Sequence, residues 1–116
     1  MSEPIEELGP EDVKILTLAR SSRARVRTAS GAAVRDLDGR TYTAADVRLP
    51  SVSLSALEAA VVMAASSGAT GLEAAAVVTT DDPANIDTAS VADLGGPGVP
   101  VYVASADGTP VATLTT

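Results

Sequence analysis

The chain predicts a three-layer α/β/α sandwich around a mixed sheet of about five strands, and three observations lead there. Segments of helical and strand character follow one another in the order helix, hairpin, helix, strand, helix, strand, strand, a pattern met by a sheet with helices on its faces. Hydrophobic residues make up 46% of the 116 residues and charged ones 20%, which is too apolar for a disordered chain. That apolar content is Ala, Val and Leu, with no Phe or Trp and only Tyr42 and Tyr102, so layers built from it can approach closely.

Residues 1–9 read as an acidic lead-in to a single domain over 10–116. Pro10 suits a first helical turn, Glu11 and Asp12 favour the positive end of the dipole, and Val13, Ile15, Leu16, Leu18 and Ala19 supply an apolar side. A helix over 10–23 follows. Arg20, Arg23, Arg25 and Arg27 gather at its end, where cations complement the dipole. Arg20, Arg23 and Arg27 recur at helical spacing, so a site for phosphate, RNA or an acidic partner is the sharper reading of the same residues.

Leu37, Asp38 and Gly39 separate two short runs, 30–36 and 40–47, and an Asp-Gly pair in that place marks a hairpin turn. Residues 53–67 form the next helix. Leu54, Leu57, Val61, Val62 and Ala65 make one stripe, and Ala56, Ala59, Ala60, Met63 and Ala64 leave most of the remainder apolar. A helix apolar nearly all round needs cover on both sides, which predicts a homo-dimer or homo-tetramer through 53–67. A strand over 73–79 runs into Asp81, Asp82 and Pro83, and a short helix over 87–94 stops at Gly95 and Gly96. Strands over 99–104 and 111–115 flank a turn at Asp107 and Gly108.

Composition excludes whole chemistries. The sequence contains no cysteine and no histidine, so thiolate-bound zinc, a cysteine nucleophile and a histidine base are ruled out. A net charge of −7 repels polyphosphates and there is no aromatic stacking platform, which argues against nucleic acid as a partner. The N-terminal residues lack the basic start and apolar run of a secretory signal, and no apolar segment approaches the ~20 residues of a membrane span. A cytoplasmic protein without membrane contact is expected.

From about residue 14 to residue 108 the pattern resembles the cytidine deaminase family. Gly31, Ala32, Ala33 and Val34, then Asp38, Gly39 and Arg40, then Tyr42 and Thr43 are similar to that family's first hairpin in type and spacing. Asp46 and Val47 sit where its strand carries Asn-Val-Glu. Ala76 to Thr79 with Asp81 and Asp82, and Val99 to Tyr102, resemble its third and fourth strands. The resemblance implies zinc held at two helix starts, one bearing a Cys or His ligand followed after one residue by a proton-shuttling Glu, the other bearing Pro-Cys-x-x-Cys. Aligned from Gly68, the first motif falls on Ser55, Ala56 and Leu57, with Leu57 at the acid's place; a shift of one residue makes Glu58 the acid but leaves Ala56 as the ligand. In the second motif Pro83 is kept, while Ala84 and Asp87 stand for the cysteines. Arg48 replaces the Glu that the family turns to ribose hydroxyls.

The replacements suit helix caps. Ser55 with Glu58 three residues on matches the capping box, and Asp87 is placed to accept amides of the short third helix. A catalytically inactive, oligomeric scaffold or regulatory partner, without a cofactor, is therefore expected. The alternative is a binder of a nucleoside, nucleotide or small anion in a remnant pocket made by Asp46, Arg48, Ser55 and Asp87, where helix N-termini offer amides. Two weaker readings are a magnesium site on Asp81, Asp82 and Asp87, and an enzyme in which Lys14 activates Ser55.

Overall fold

Pro10–Val26 form the first helix, α1, in the computed structural model, which describes residues 8–116. The predicted lead-in is thus outside the described residues except for Leu8 and Gly9. Gly9 is the N-cap and Pro10 takes the first helical position, whose missing N–H is an orphan donor in any case. The helix runs past the expected residue 23 because nothing in Ala24–Val26 breaks it; it stops at Arg27, which turns left-handed with φ 62° and donates its amide to Arg23 O at 2.7 Å.

The hairpin is β1 (Ser30–Asp36) and β2 (Thr41–Ala45), closed through Gly39 at φ 83°. The expected strand to residue 47 is interrupted at Asp46. After it, β3 (Val47–Arg48) pairs with β4 (Ser53–Leu54) as a separate antiparallel ribbon, so the helix expected from residue 53 starts three residues later as α2 (Ala56–Ser66). The rest is β5 (Leu72–Thr79), a 3₁₀ turn Pro83–Asn85, α3 (Ala89–Gly95), β6 (Pro100–Ala104) and β7 (Pro110–Thr115). The short helix predicted over 87–94 thus starts two residues later and ends one later, with Pro83 starting a turn of its own.

The five-stranded sheet has the order β2-β1-β5-β6-β7 and is parallel only between β5 and β6, the pair linked by the α3 crossover. Period-two alternation divides its side chains between two cores. Ala32, Val34, Ala75, Val77 and Val101 pack with Ala56, Leu57, Ala60, Val61 and Ala64 of α2 and Val91 of α3. On the opposite face Ala33, Ala74, Ala76, Val78 and Ala104 meet Ile15, Leu16 and Ala19 of α1. The predicted sandwich of three layers is the fold.

Two features press α1 onto the sheet. Gly31 leaves room for the backbone at Ala19 and Arg23, where any Cβ would collide. Asp12 of α1 accepts from Arg35 of β1 at 3.1 Å and from the Tyr102 hydroxyl of β6 at 3.0 Å, while Arg35 also reaches Glu73 of β5 at 3.2 Å. The apolar stripe expected on α2 divides differently. Leu57 and Val61 of that stripe face the core together with Ala56, Ala59, Ala60 and Ala64, while Val62 and Met63 stay 51% and 46% exposed. None of the described helices is long and apolar enough to cross a membrane.

Candidate functional site

The head of α2 is held by its own side chains and by Asp46. Ser55, the N-cap, accepts the Glu58 amide on Oγ at 3.1 Å, and Glu58 Oε1 accepts the Ser55 amide at 2.8 Å, the reciprocal capping box read from the sequence. Asp46 lies between β2 and β3 and bridges two elements: Oδ1 accepts the Ala56 amide at 2.9 Å and Oδ2 accepts the Ser30 amide of β1 at 3.0 Å. The amides of Ser55, Ala56, Glu58 and Ala59 are therefore all committed within the protein.

The end of β5 forms the facing wall. Thr79 is 4% exposed; its Oγ1 shares a 2.7 Å hydrogen bond with Ser30 Oγ and accepts the Asp81 amide at 3.0 Å. Beyond it Asp82 caps the 3₁₀ turn through the Ala84 amide, and Asp87 Oδ1 accepts the Ala89 amide at the start of α3, both at 2.9 Å. Asp87 is thus the capping acceptor the sequence suggested, although Thr88 occupies the N-cap position.

A cavity of about 310 Å³ opens between these walls. It gathers Asp46, Arg48, Ser55, Leu57, Glu58 and Asp87, which are scattered over forty-two residues of sequence, whereas Ala84 is not part of its lining. Sequence reasoning did not pick out Ser30, Thr79, Asn85 or Ile86, which also line it. Thr79 carried a usable signal, since the carboxyl end of a strand paired in parallel at a change of sheet direction is where α/β folds place clefts. Asp46, Glu58, Asp81 and Asp87 give the cavity four carboxylates against one guanidinium. Arg48 is exposed and turns Nη1 to the carbonyls of Val47 and Leu54 at 3.1 and 2.9 Å, closing the β3–β4 ribbon. A second hollow of about 210 Å³, between α1 and the β6–β7 turn, contains none of these residues.

Other candidates separate. Among the described residues no three of Asp, Glu, Cys or His stand close enough to hold a metal, so Asp81, Asp82 and Asp87 do not form a magnesium site. Lys14 belongs to α1, across the sheet from Ser55 on the α2 side, and does not line the cavity. The arginines disperse at the end of α1: Arg23 Nε donates to Ala29 O at 3.2 Å and Arg25 to Ser22 Oγ at 3.4 Å, while Arg20 lies over Gly108.

An α/β/α sandwich with a polar cavity between a helix head and the end of a central strand is the arrangement that the resemblance to cytidine deaminases implied. A sequence profile described as cytidine deaminase-like matches residues 8–108, and the chain belongs to that family. Among solved structures it is similar to the cytidine deaminase from Burkholderia pseudomallei, with a TM-score of 0.74 and 21% identity over 88% of this chain and 90% of that one. The cytidine deaminase from Mycobacterium leprae gives 0.66 and 20% over the same shares, and that from Mycobacterium tuberculosis 0.62 and 24% over 85% and 87%. No curated protein matches the chain.

The family implies zinc, and the residues present do not fit it. Ser55 Oγ and Asp87 Oδ1 are engaged with backbone amides, Ala84 has no donor atom, and the sequence offers no cysteine or histidine to replace them.

Proposed function

We propose that the protein is a non-catalytic member of the cytidine deaminase-like family that acts as an oligomeric scaffold or regulatory partner. The observation that carries this is Leu57: a buried hydrocarbon side chain lies in the cavity wall at the place where the resemblance expects the proton-shuttling carboxylate. Glu58, one residue on, has its Oε1 tied to the Ser55 amide, which is the work of a cap. Self-association is supported by the outward side of α2, where Val62, Met63 and Ala65 are exposed with no other part of the described chain over them.

The test has two arms. Purified protein incubated with cytidine and zinc should release no ammonia above a buffer control, and turnover would overturn the reading. Light scattering should give a dimer or tetramer that Val62→Glu with Met63→Glu dissociates; a wild-type monomer would refute the oligomeric part.

The cavity itself favours a second reading, a small-ligand binder. Its carboxylates and committed amides weigh against nucleotides and anions and leave a neutral nucleoside as the better candidate. A thermal-shift series with cytidine, uridine and their monophosphates separates the cases: stabilisation by nucleosides alone supports this reading, and no shift with any of them rejects it.

A further inference from the structure

The proposed loss of the metal leaves a mechanical question at the head of α2, and Asp46 answers it. In a zinc-bound relative of the type the resemblance implies, metal bonds would anchor this helix start. Here the capping box satisfies α2 internally, but the Ser55 and Glu58 side chains bond only within the helix's own first turn and form no hydrogen bond to the sheet. The contact that leaves the helix is the Asp46 carboxylate, which takes the Ala56 amide on one oxygen and the Ser30 amide of β1 on the other. Ser30 is in turn joined to Thr79 of β5 through their hydroxyls. One carboxylate thus links the helix to β1, with both oxygens used in charge-assisted hydrogen bonds, and the Ser30 hydroxyl carries the link on to β5.

We infer that Asp46 is the tie that replaces the metal, holding the head of α2 against β1 and making the fold independent of zinc. The inference rests on the reading that zinc does not fit this site. It also assigns a structural task to Asp46, which the alternative reading places in a remnant ligand pocket. Arg48, two residues on, is likewise turned to backbone, closing the β3–β4 ribbon.

Amide hydrogen exchange measured by NMR on the full chain tests it, with Asp46→Ala and Asp46→Asn as variants. In Asp46→Ala the Ser30 and Ala56 amides should exchange about tenfold faster, while the Ala33 and Val78 amides on the α1 side keep their protection relative to global stability. Asp46→Asn, with a single carbonyl acceptor, should release only one of the two amides. The thermal midpoint of the wild type should be unmoved by EDTA or by added zinc. Unchanged exchange at Ser30 and Ala56 in both variants, or a wild-type midpoint lowered by EDTA, would overturn the inference. If Asp46→Ala does not fold, the asparagine variant decides: two protected amides reject the tie and one supports it. Cytidine turnover by the wild type would refute the non-catalytic reading while leaving the exchange pattern intact, so the two failures are distinct.

Discussion

Gly31 of β1 lies directly beneath Ala19 of α1, so close that a Cβ on the glycine would overlap the alanine's carbonyl oxygen and crowd the Arg23 amide and Cβ. The neighbouring atoms are mostly helix backbone, which has no rotamer by which to retreat. Gly31→Ala is therefore expected to destabilise the domain by about 3 kcal/mol or more, through overpacking. Urea unfolding measures it; a cost under about 0.5 kcal/mol would mean that α1 rides more loosely than described.

At the other end of α1, Arg27 pays for a left-handed backbone with φ 62°. Glycine takes that conformation freely, so Arg27→Gly should stabilise by about 0.5–1 kcal/mol, a gain reduced by glycine's looser unfolded chain. A loss of stability in the same urea titration would indicate a packing role for the arginine side chain.

The capping box on α2 predicts a coupled pair. Ser55→Ala and Glu58→Ala should each cost about 1 kcal/mol, and the double variant less than their sum, because each leaves the other's bond one-sided. Strict additivity in a double-mutant cycle would show that the two bonds act separately.

The first hairpin and the last turn predict how stability varies with pH. Burial pushes the Asp36 carboxyl up, but the amides of Arg40 and Asp38 and the Tyr42 hydroxyl together hold it below the usual 3.8. The Ser105 hydroxyl, with the Thr109 amide, lowers Asp107 from 3.8 to about 2. A carboxylate depressed in the folded state stabilises above its unfolded value and loses that contribution as pH falls through the folded one. The urea midpoint should accordingly decline between pH 3.8 and about 2, and Asp107→Asn should flatten that decline. Tyr42 is raised above 10.0, chiefly by its bond to Asp36, so its contribution is present below pH 10.0 and disappears as pH rises further. An acid slope unchanged by Asp107→Asn would refute the assignment.

The parts of this molecule that could be read from the chain are those set by near neighbours. Ser55 and Glu58 are three residues apart and announced their box; Asp38 and Gly39 announced their turn; Asp87 announced its acceptor role at the start of α3. The layered fold followed from the order of such signals. What stayed hidden depends on distance along the chain. Asp46 reaches Ala56 ten residues on and Ser30 sixteen residues back, and no local pattern encodes either bond. The β3–β4 ribbon was invisible because strands of two residues have no period to detect, and it displaced the start of α2 with it. The split of α2 into a core side and an exposed side was misjudged because alanine and valine look alike to a pattern of apolar spacing; the inside takes four alanines with Leu57 and Val61, and Val62 and Met63 stay outside.

That choice of small residues alters what folding costs. Half of the buried apolar residues among those described are alanine, on both faces of the sheet and along α1 and α2. An alanine side chain has no rotamers to surrender when it is enclosed, whereas a leucine or isoleucine gives up about 0.5–1 kcal/mol of conformational freedom. Each buried position gains less than a larger side chain would, and each also loses less. The interior is accordingly ordered chiefly by its backbone geometry, with few side-chain degrees of freedom left to freeze when the layers close.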